Sequence, residues 1–430
     1  MSEKIKVCVI GAGAAGLCAA RHLAGDPDTF EFVLFEKSTD VGGTWTYVEE
    51  VGRDNYGLPI HSSMYKNLRT NLPKEIMSFP DFPEIKTDGT DSCLLHSDIL
   101  KYLKDYSQHF QLHDFIKFET LIERVKLVTV NNEEKWKVDT HELTTSKKES
   151  LYFDAVMICN GHYFDPYIPS IRGLDKFNGE IIHSHNYRIP EAFLDKKVIV
   201  LGASSSGIDI AFELIGKASH VYLSHNNSRL SIADSDGFTQ VQGIDRFEND
   251  KFILKDKTAI AADVLMLCTG YKFSYPFLDD NCGISVDDNY VSPLYKHLIN
   301  ITRPTMCFIG IPTVVVPFPM FHMQVQYFLS VLKGKRLPSK DDQIADSNSS
   351  IANGTVAKRH AHKLSHNQWA YNDDLAQDGQ FPALPDYYRS GYEAWWTKKR
   401  ANLRDYKKFC LVIDKKDDGS SSVQVVDPRN

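Results

Sequence analysis

Two glycine-rich stretches decide the fold of this chain: VCVIGAGAAG at residues 7–16 and VIVLGASSSG at residues 198–207. In each stretch an apolar run of strand character leads into the glycines, and a helix-like sequence follows them. In that context a glycine-rich turn indicates a dinucleotide site, because the turn presents the amide groups of a helix N-terminus to a pyrophosphate. The sequence therefore predicts an α/β fold with two Rossmann-like dinucleotide-binding domains and two bound dinucleotides.

The first turn has the residue types that its chemistry requires. Gly11 permits the tight turn, Gly13 lets the backbone approach a pyrophosphate, and Gly16 lets the helix pack on the strand. Glu36 follows the second apolar run, where its carboxylate can accept hydrogen bonds from ribose, which predicts an adenosine with a free 2′-hydroxyl. The predicted contacts of this turn are Gly11, Gly13, Ala14, Ala15, Gly16 and Glu36.

The second turn differs in one glycine and in the end of its second strand. Ser204 stands at the middle glycine position, and residues 224–229 read SHNNSR without an acid. An acid would repel a 2′-phosphate, whereas hydroxyl and guanidinium groups would bind one, so this stretch favours NADPH over NADH. An exposed polar loop that touches no ligand is the alternative for Arg229 and His225. The predicted contacts are Gly202, Ser204, Ser205, Ser206, Gly207, Ile208, Asp209, Ser224 and Arg229.

Composition restricts the possible partners. The 430 residues carry a net charge of −7, which argues against nucleic acid or an anionic membrane surface as the main partner. No apolar run of about eighteen residues occurs, so we expect a cytoplasmic protein without a membrane anchor. The eight cysteines include no C-x-x-C pair, which indicates a reduced protein and argues against a flavin disulfide reductase. The oligomeric state stays open, a homo-oligomer included.

An internal repeat indicates how the two modules are arranged. DAVMICNG at 154–161 and DVLMLCTG at 263–270 both consist of an acid, an apolar strand and a C-x-G ending. Each closes a unit that a glycine-rich turn opens, so we expect one module, at 165–300, to be inserted into another formed by 1–164 plus 301–430. The polar, serine-rich segment 340–353 is expected to be a surface loop.

Four further motifs carry a family resemblance. Residues 177–187, FNGEIIHSHNY, match the pattern F-x-G-x-x-x-H-x-x-x-Y, and GGTW at 42–45, YKNLRTNLPK at 65–74 and CTGY at 268–271 occur in the expected order. The chain thereby resembles the class B flavin-containing monooxygenases from residue 5 to about 340, and within them the soluble insect pyrrolizidine-alkaloid (senecionine) N-oxygenases. It departs from the family at Ser204, and we expect a shorter form without the hydrophobic C-terminal anchor of vertebrate members.

The resemblance implies FAD in the outer module, NADPH in the inserted one, and oxygen transfer from O₂ through a flavin C4a-hydroperoxide to a small nucleophile such as a tertiary amine. Asn71 matches the family's active-site asparagine, and a turn residue without a catalytic role is its alternative. Gln324 matches a glutamine near the flavin, with a helix-surface glutamine as its alternative. Further cofactor contacts implied by the resemblance are Gly43, Thr44, Trp45, His61, Thr70, Asn71, Leu72, Val125 and Gln324.

Several alternatives remain. Tyr187-Arg188 stands where Baeyer-Villiger monooxygenases carry tryptophan, which favours heteroatom oxygenation over ketone insertion, while S-oxygenation stays open. A flavoprotein that only binds NADPH as a sensor or docking module is an alternative of another class. His183 and His185 are not accompanied by further ligands of suitable spacing, so no metal is predicted. Trp395 and Trp396 are expected to be packing residues.

Overall fold

The structure is a computed structural model that describes residues 3–349, 351, 354, 356–416 and 421–428. Within this part of the chain, no helix is long and apolar enough to span a membrane.

The strands are short, and those of the two parallel sheets are mostly buried apolar runs, as expected when helices cover both faces. In chain order the strands are β1 Ile5–Ile10, β2 Phe30–Phe35, β3 Ile116–Lys117, β4 Thr120–Val130, β5 Glu133–Glu142, β6 Lys148–Phe153, β7 Ala155–Ile158, β8 Glu180–His183, β9 Lys197–Leu201, β10 His220–His225, β11 Phe238–Gln242, β12 Ile244–Glu248, β13 Lys251–Leu254, β14 Ala259–Ile260, β15 Val264–Leu267, β16 Ser285–Asp287, β17 Tyr290–Ser292, β18 Leu294–Tyr295, β19 Ile299–Asn300, β20 Met306–Phe308, β21 Cys410–Lys415 and β22 Ser421–Val426.

The α-helices of the described residues cover the sheets and build the C-terminal part. They are α1 Ala14–Ala24, α2 Lys74–Met77, α3 His96–His109, α4 Ser205–Leu214, α5 Pro317–Leu332, α6 Lys340–Asn348, α7 Gln368–Gly379 and α8 Tyr387–Ala401.

The larger sheet has the strand order β18-β19-β20-β7-β1-β2-β3. Its strands from β20 to β3 run parallel, and α1 connects β1 to β2 in the arrangement of a dinucleotide-binding fold. Helices α1 and α5 pack on each other over this sheet. The carboxyl ends of β1 and β7 therefore lie beside the first glycine-rich turn.

The smaller sheet has the order β11-β10-β9-β15-β8, and all of its strands are parallel. Helix α4 connects β9 to β10, as α1 connects β1 to β2. The fold is thus α/β with two dinucleotide-binding units, as the sequence predicts. Strands β18 and β19 pair with β20 of the larger sheet, so the predicted boundary at residue 300 falls inside a sheet. The domain ranges themselves stay a prediction.

The expectation of a loop over 340–353 is wrong for its first part, because Lys340–Asn348 forms α6. The Ser339 side chain accepts a hydrogen bond from the Asp342 amide at 3.2 Å, and acidic residues occupy the first turn. Both features stabilise a helix N-terminus without any apolar stripe. Residues 350, 352 and 353 of that segment lie outside the described residues.

Candidate functional site

The first turn is held by contacts that only glycine allows. Gly11 has φ +99°, and a Cβ there would lie 2.7 Å from the Cys159 carbonyl oxygen. A Cβ at Gly16 would lie 1.7 Å from the Gly11 carbonyl oxygen, so helix α1 packs directly on the turn. Gly13 differs, because the nearest atom to a Cβ there is the Gly43 Cα at 3.6 Å. The space over Gly13 is therefore bounded by backbone, at the N-terminus where Ala14 and Ala15 begin α1.

A second glycine segment closes this space. The Gly42 amide donates to the Ala12 carbonyl at 3.0 Å, and the short turn Gly43–Trp45 follows. A Cβ at Gly43 would lie 2.9 Å from the Gly13 Cα. We call the backbone surface that Gly13 and Gly43 form together the first cradle. It suits a pyrophosphate, because neither glycine has a side chain that would keep a phosphate away from the backbone amides. The Thr44 carbonyl accepts a hydrogen bond from Ser62, and Trp45 packs edge-on against Phe318.

Glu36 is buried at the end of β2 with both oxygens oriented. Its Oε2 accepts a hydrogen bond from the Ala12 amide at 2.7 Å. Its Oε1 accepts from both the amide and the hydroxyl of Ser38, each at 2.8 Å. The carboxylate is thus fixed beside the first turn, where the sequence predicts a ribose. The role of Ser38 was not predicted from the sequence.

The second turn repeats the construction of the first. Gly202 has φ +112°, and a Cβ there would lie 2.4 Å from the Cys268 carbonyl oxygen. A Cβ at Gly207 would lie 1.9 Å from the Gly202 carbonyl oxygen. Ser204, Ser205 and Ser206 are exposed where α4 begins, and Ile208 is half-buried in its first turns. We call the exposed surface of these three serines the second cradle. Its free helix amides suit an anionic group.

The internal repeat also has a structural role. Asp154 precedes β7 and accepts a hydrogen bond from the Lys6 amide at 2.7 Å. Asp263 precedes β15 and accepts from the Lys197 amide, also at 2.7 Å. Asp154 thus links β7 to β1, and Asp263 links β15 to β9. In both modules this contact aligns the cysteine carbonyl of the C-x-G ending with the first glycine of the glycine-rich turn.

One face of α4 joins the two modules. Ser205, Asp209 and Glu213 are spaced four residues apart and therefore share a helix face. Asn71 Nδ2 donates to the Ser205 hydroxyl at 2.9 Å, and Asn67 Nδ2 donates to Glu213 Oε1 at 2.6 Å. We call this set of contacts the inter-module seam. It brings Asn71, the predicted catalytic residue, to the edge of the second cradle.

The C-terminal part completes the seam. Lys407 Nζ donates to Asp209 Oδ2 at 2.5 Å and to the Arg69 carbonyl at 2.9 Å. The indole of Trp395 donates to the Asn71 carbonyl at 3.2 Å. Trp395 is buried in an aromatic cluster with Tyr406, so its predicted packing role includes a polar contact to the site. Sequence reasoning missed Lys407, because no local pattern links it to residues so distant along the chain.

The F-x-G-x-x-x-H-x-x-x-Y segment lies at the junction of the modules. A Cβ at Gly179 would lie 2.4 Å from the Asp263 carbonyl oxygen. His183 Nε2 is 3.0 Å from the Gly270 carbonyl oxygen, and burial lowers the pKa of His183 to about 4. Tyr187 is fully buried and donates from its hydroxyl to Glu213 at 2.6 Å.

Arg188 follows Tyr187 and extends the junction to the first module. It is buried and donates from Nε to the Val48 carbonyl at 2.7 Å and from Nη2 to the Glu50 carbonyl at 3.1 Å. The segment therefore supports the arrangement of the modules, which is the structural role that its position between them indicates.

Arg229, which follows β10 in the second module, has a partner that the sequence did not predict. Arg229 is exposed and forms an ion pair with Asp234 at 2.5 Å. A hydrogen bond from the Gln240 amide, together with the pairing to Arg229, lowers the pKa of Asp234, so this acid is charged beside the predicted phosphate contact. Ser224 is fully buried and donates to the Gln242 carbonyl at 2.9 Å.

Three further predicted contacts, His61, Thr70 and Leu72, lie on the first module, and each has a partner in the chain. His61 stacks on Phe164 with ring centres 5.0 Å apart, and burial lowers the pKa of His61 to about 3, so the ring is neutral. The hydroxyl of Thr70 accepts from the Leu94 amide at 3.0 Å. Leu72 packs at the edge of the core.

Gln324 is fully buried in α5, which excludes the helix-surface alternative. It accepts from the Gly310 amide at 2.9 Å and donates to the Tyr371 hydroxyl at 2.7 Å. Val125 is buried in β4, where its amide donates to the Phe277 carbonyl at 2.7 Å and its carbonyl accepts from the Asp279 amide at 2.9 Å. As a cofactor contact, Val125 rests on the family resemblance alone.

Two cradles of the same construction, fastened to each other by a polar seam, define a class of protein: an oxidoreductase that brings two dinucleotides together. The chain belongs to the flavin-binding monooxygenase-like family, whose model matches residues 4–239 and 236–386. It is a flavin-dependent monooxygenase, and its cofactors are FAD and NADPH.

Individual relatives match over nearly the whole chain. Flavin-containing monooxygenase FMO GS-OX-like 4 of Arabidopsis thaliana is 36% identical over 93% of this chain and 93% of its own. The structure of S-allyl-L-cysteine S-oxygenase from Allium sativum is 32% identical, with a TM-score of 0.87 over 94% of this chain and 95% of its own. The structure of Tmm from Pelagibacter sp. strain HTCC7211 is 28% identical, with a TM-score of 0.83 over 97% and 96%. These relatives are plant and bacterial proteins, so the resemblance to the insect N-oxygenases stays a prediction.

Proposed function

We propose that this monooxygenase transfers one oxygen atom from O₂ to a soft heteroatom, with the nitrogen of a tertiary amine such as a pyrrolizidine alkaloid as the first candidate. The observation that carries the proposal is the contact between Asn71 of the first module and Ser205 of the second cradle. A group that must meet both cofactors has to stand at such a junction. Tyr187, in place of the tryptophan of ketone-oxidising relatives, favours a heteroatom.

We assign the pyrophosphate of FAD to the first cradle and that of NADPH to the second. In the first, Gly13 and Gly43 leave the space, α1 directs its amides at it, and Glu36 accepts from the ribose. In the second, Ser204, Ser205 and Ser206 expose the N-terminus of α4. Arg229 would hold the 2′-phosphate after exchanging Asp234 for it, since a phosphate offers a guanidinium more charge than one carboxylate does.

FAD, when bound, accepts a hydride from NADPH and activates O₂, which is chemistry that no side chain supplies. The residues of the chain position and shield it. The side-chain Nδ2 of Asn71 donates to Ser205 on the second module, and the indole of the buried Trp395 donates to the main-chain carbonyl of Asn71. Together these contacts keep the side-chain amide of Asn71 in one orientation. His61 is neutral because its pKa is about 3, so it adds no positive charge to the carboxyl end of β7. Burial by α8 and its aromatic cluster keeps water from the Asn71 backbone.

Sulfur is the second candidate acceptor, because the similar protein from Allium sativum is an S-oxygenase by its title. Nitrogen and sulfur share the property that matters, a lone pair that attacks an electrophilic oxygen. The seam and the cradles are the same for both, so the choice depends on the shape of the substrate space.

The test is a product assay with purified yellow protein, NADPH and isotope-labelled O₂. The panel contains a pyrrolizidine alkaloid, a simple tertiary amine, a thioether amino acid and a cyclic ketone. We expect one labelled oxygen in an N-oxide or S-oxide, formed in proportion to the NADPH consumed, and no lactone. A lactone would shift the assignment to ketone insertion. NADPH consumption that yields only hydrogen peroxide with every substrate would favour the sensor or docking alternative.

A further inference from the structure

A cluster of metal-ligating side chains lies between α1 and α5, apart from both cradles. Cys18 and His22 are four residues apart on α1 and share a face, while His322 comes from α5. Their ligand atoms all lie within 4.8 Å of one another, and Cys18 is fully buried. His22 Nε2 and His322 Nδ1 are 3.0 Å apart. A tetrahedral zinc site, with bonds of roughly 2.0–2.3 Å, needs neighbouring ligand atoms about 3–4 Å apart.

The Asp81 carboxylate lies beside the cluster. Its Oδ1 lies 3.8 Å from His322 Nδ1, and its Oδ2 pairs with Arg21 Nε at 2.6 Å, so Arg21 is the cation that accompanies this carboxylate. Apart from this ion pair, neither carboxylate oxygen has a hydrogen bond within the described chain, although both atoms are shielded from solvent. A sheltered oxygen without a hydrogen bond is costly, so Asp81 Oδ1 is open to one further partner on the side of His322.

The donor types also suit a metal. One sulfur and two imidazole nitrogens form a donor set typical of Zn²⁺, and a carboxylate oxygen lies beside them. Metal binding would displace the thiol proton of Cys18, and the resulting thiolate would offset part of the charge of the ion. Arg21 would remain the partner of Asp81 Oδ2.

We propose that Cys18, His22 and His322 hold a zinc ion that fastens α1 to α5, with Asp81 moving in as the fourth donor. The site is structural because it lies apart from both cradles and because four protein donors leave no open position for water or substrate. Helix α1 begins at the first cradle, so the metal would fix its C-terminal half against the helix that carries Gln324. The proposal does not depend on the oxygen acceptor, and a direct hydrogen bond between two neutral histidines is the alternative.

The first measurement is metal content, on protein purified without a metal-affinity tag or chelator. We expect about one zinc per chain. Exchange with Co²⁺ should give the visible ligand-field bands of a tetrahedral site with a thiolate ligand, at longer wavelengths than flavin absorption. Removal of zinc should lower the Tm by roughly 4 °C, the shift expected for a chain of this size when a metal at about 1,000 times its Kd is withdrawn.

Variants locate the metal. Cys18→Ser and His322→Asn should each lose most of the zinc and the cobalt bands. Cys307→Ser, at another fully buried cysteine, and His113→Asn should retain both. If Cys18→Ser fails to fold, His322→Asn and the wild-type metal content still decide the question. Wild-type protein with less than about a tenth of an equivalent of zinc, no cobalt bands and no response of the Tm to added Zn²⁺ would overturn the proposal, as would zinc that both cluster variants retain.

Discussion

Replacing Lys407 with methionine should loosen the inter-module seam while keeping the length and the apolar stem of the side chain. The ammonium group of Lys407 makes two contacts, with Asp209 at 2.5 Å and with the Arg69 carbonyl at 2.9 Å. The side chains of Lys407 and Asp209 are 19% and 18% exposed. The substitution therefore leaves a carboxylate and a carbonyl without their donor in a largely sheltered place.

The expected loss in the free energy of unfolding follows from this burial. Losing one partner of a fully buried pair costs about 3–5 kcal/mol. Two features reduce that figure. Both groups keep some contact with water, and Lys399 is a second basic side chain near Asp209: burial lowers the pKa of Lys399, and the Asp209 charge opposes that shift. We expect a loss of about 2 kcal/mol in the free energy of unfolding. For a chain of this size that unfolds as one unit, the loss corresponds to a fall in Tm of roughly 2 °C.

The assay that separates positioning from stability is the coupling of NADPH use to product. Because Lys407 holds the helix that carries the second cradle, its loss should raise the fraction of NADPH that ends as hydrogen peroxide and lower product formation by about tenfold. Lys408→Met is the matched control, since Lys408 pairs with Asp405 on the surface, with side chains 60% and 48% exposed. Its effect should stay within about 0.5 kcal/mol. If the two variants have the same coupling ratio and Tm, the seam does not position the modules.

Four further substitutions test the cradles and the junction between the modules. Gly13→Val should abolish FAD retention, because a side chain would cover the first cradle; a folded variant that purifies with a full flavin complement would falsify the placement of FAD. Arg229→Ala should raise the KM for NADPH by about tenfold without changing that for NADH, since a charge-assisted hydrogen bond is worth roughly 1.5–3 kcal/mol and part of it is already used by Asp234. Asp234→Asn should lower the same KM, and equal changes with both nucleotides would exclude a phosphate contact at Arg229. Asn71→Ala should keep flavin reduction by NADPH, followed by stopped-flow absorbance, but lose roughly 10²-fold of product formation; an unchanged product yield would make Asn71 a turn residue.

The cradles were predictable from the sequence because their determinants are local. Gly11 and Gly16 lie on one strand-turn-helix unit, and the spacing to Glu36 is set by a single helix and strand. The acids of the internal repeat were visible as a pattern, but their bonds to the Lys6 and Lys197 amides depend on pairing between distant strands. A pattern can thus reveal a repeated unit before it reveals what each position does.

The seam was not predictable, because its contacts join residues far apart along the chain. Lys407 meets Asp209 only after the C-terminal part has folded back on α4 of the inserted module. Asp234 follows Arg229 closely, yet nothing in the sequence indicates that the chain turns back to pair them. Helix α6 was not predicted for a different reason. It has a capping serine and acidic residues in its first turn, but it lacks the apolar periodicity on which the prediction of helices mainly rests.

All eight cysteines are unbridged and buried. Burial raises the pKa of seven of them, namely Cys8, Cys18, Cys93, Cys159, Cys268, Cys282 and Cys307. Oxidants attack thiolates that solvent can reach, and all eight thiols are sheltered from solvent. Outside the proposed zinc site, the raised pKa values also keep six of them protonated, namely Cys8, Cys93, Cys159, Cys268, Cys282 and Cys307. Peroxide formed beside the flavin would therefore find no ready thiol target in the protein. A cysteine introduced on its surface would be the preferred target for a maleimide dye, which makes the protein well suited to site-specific labelling.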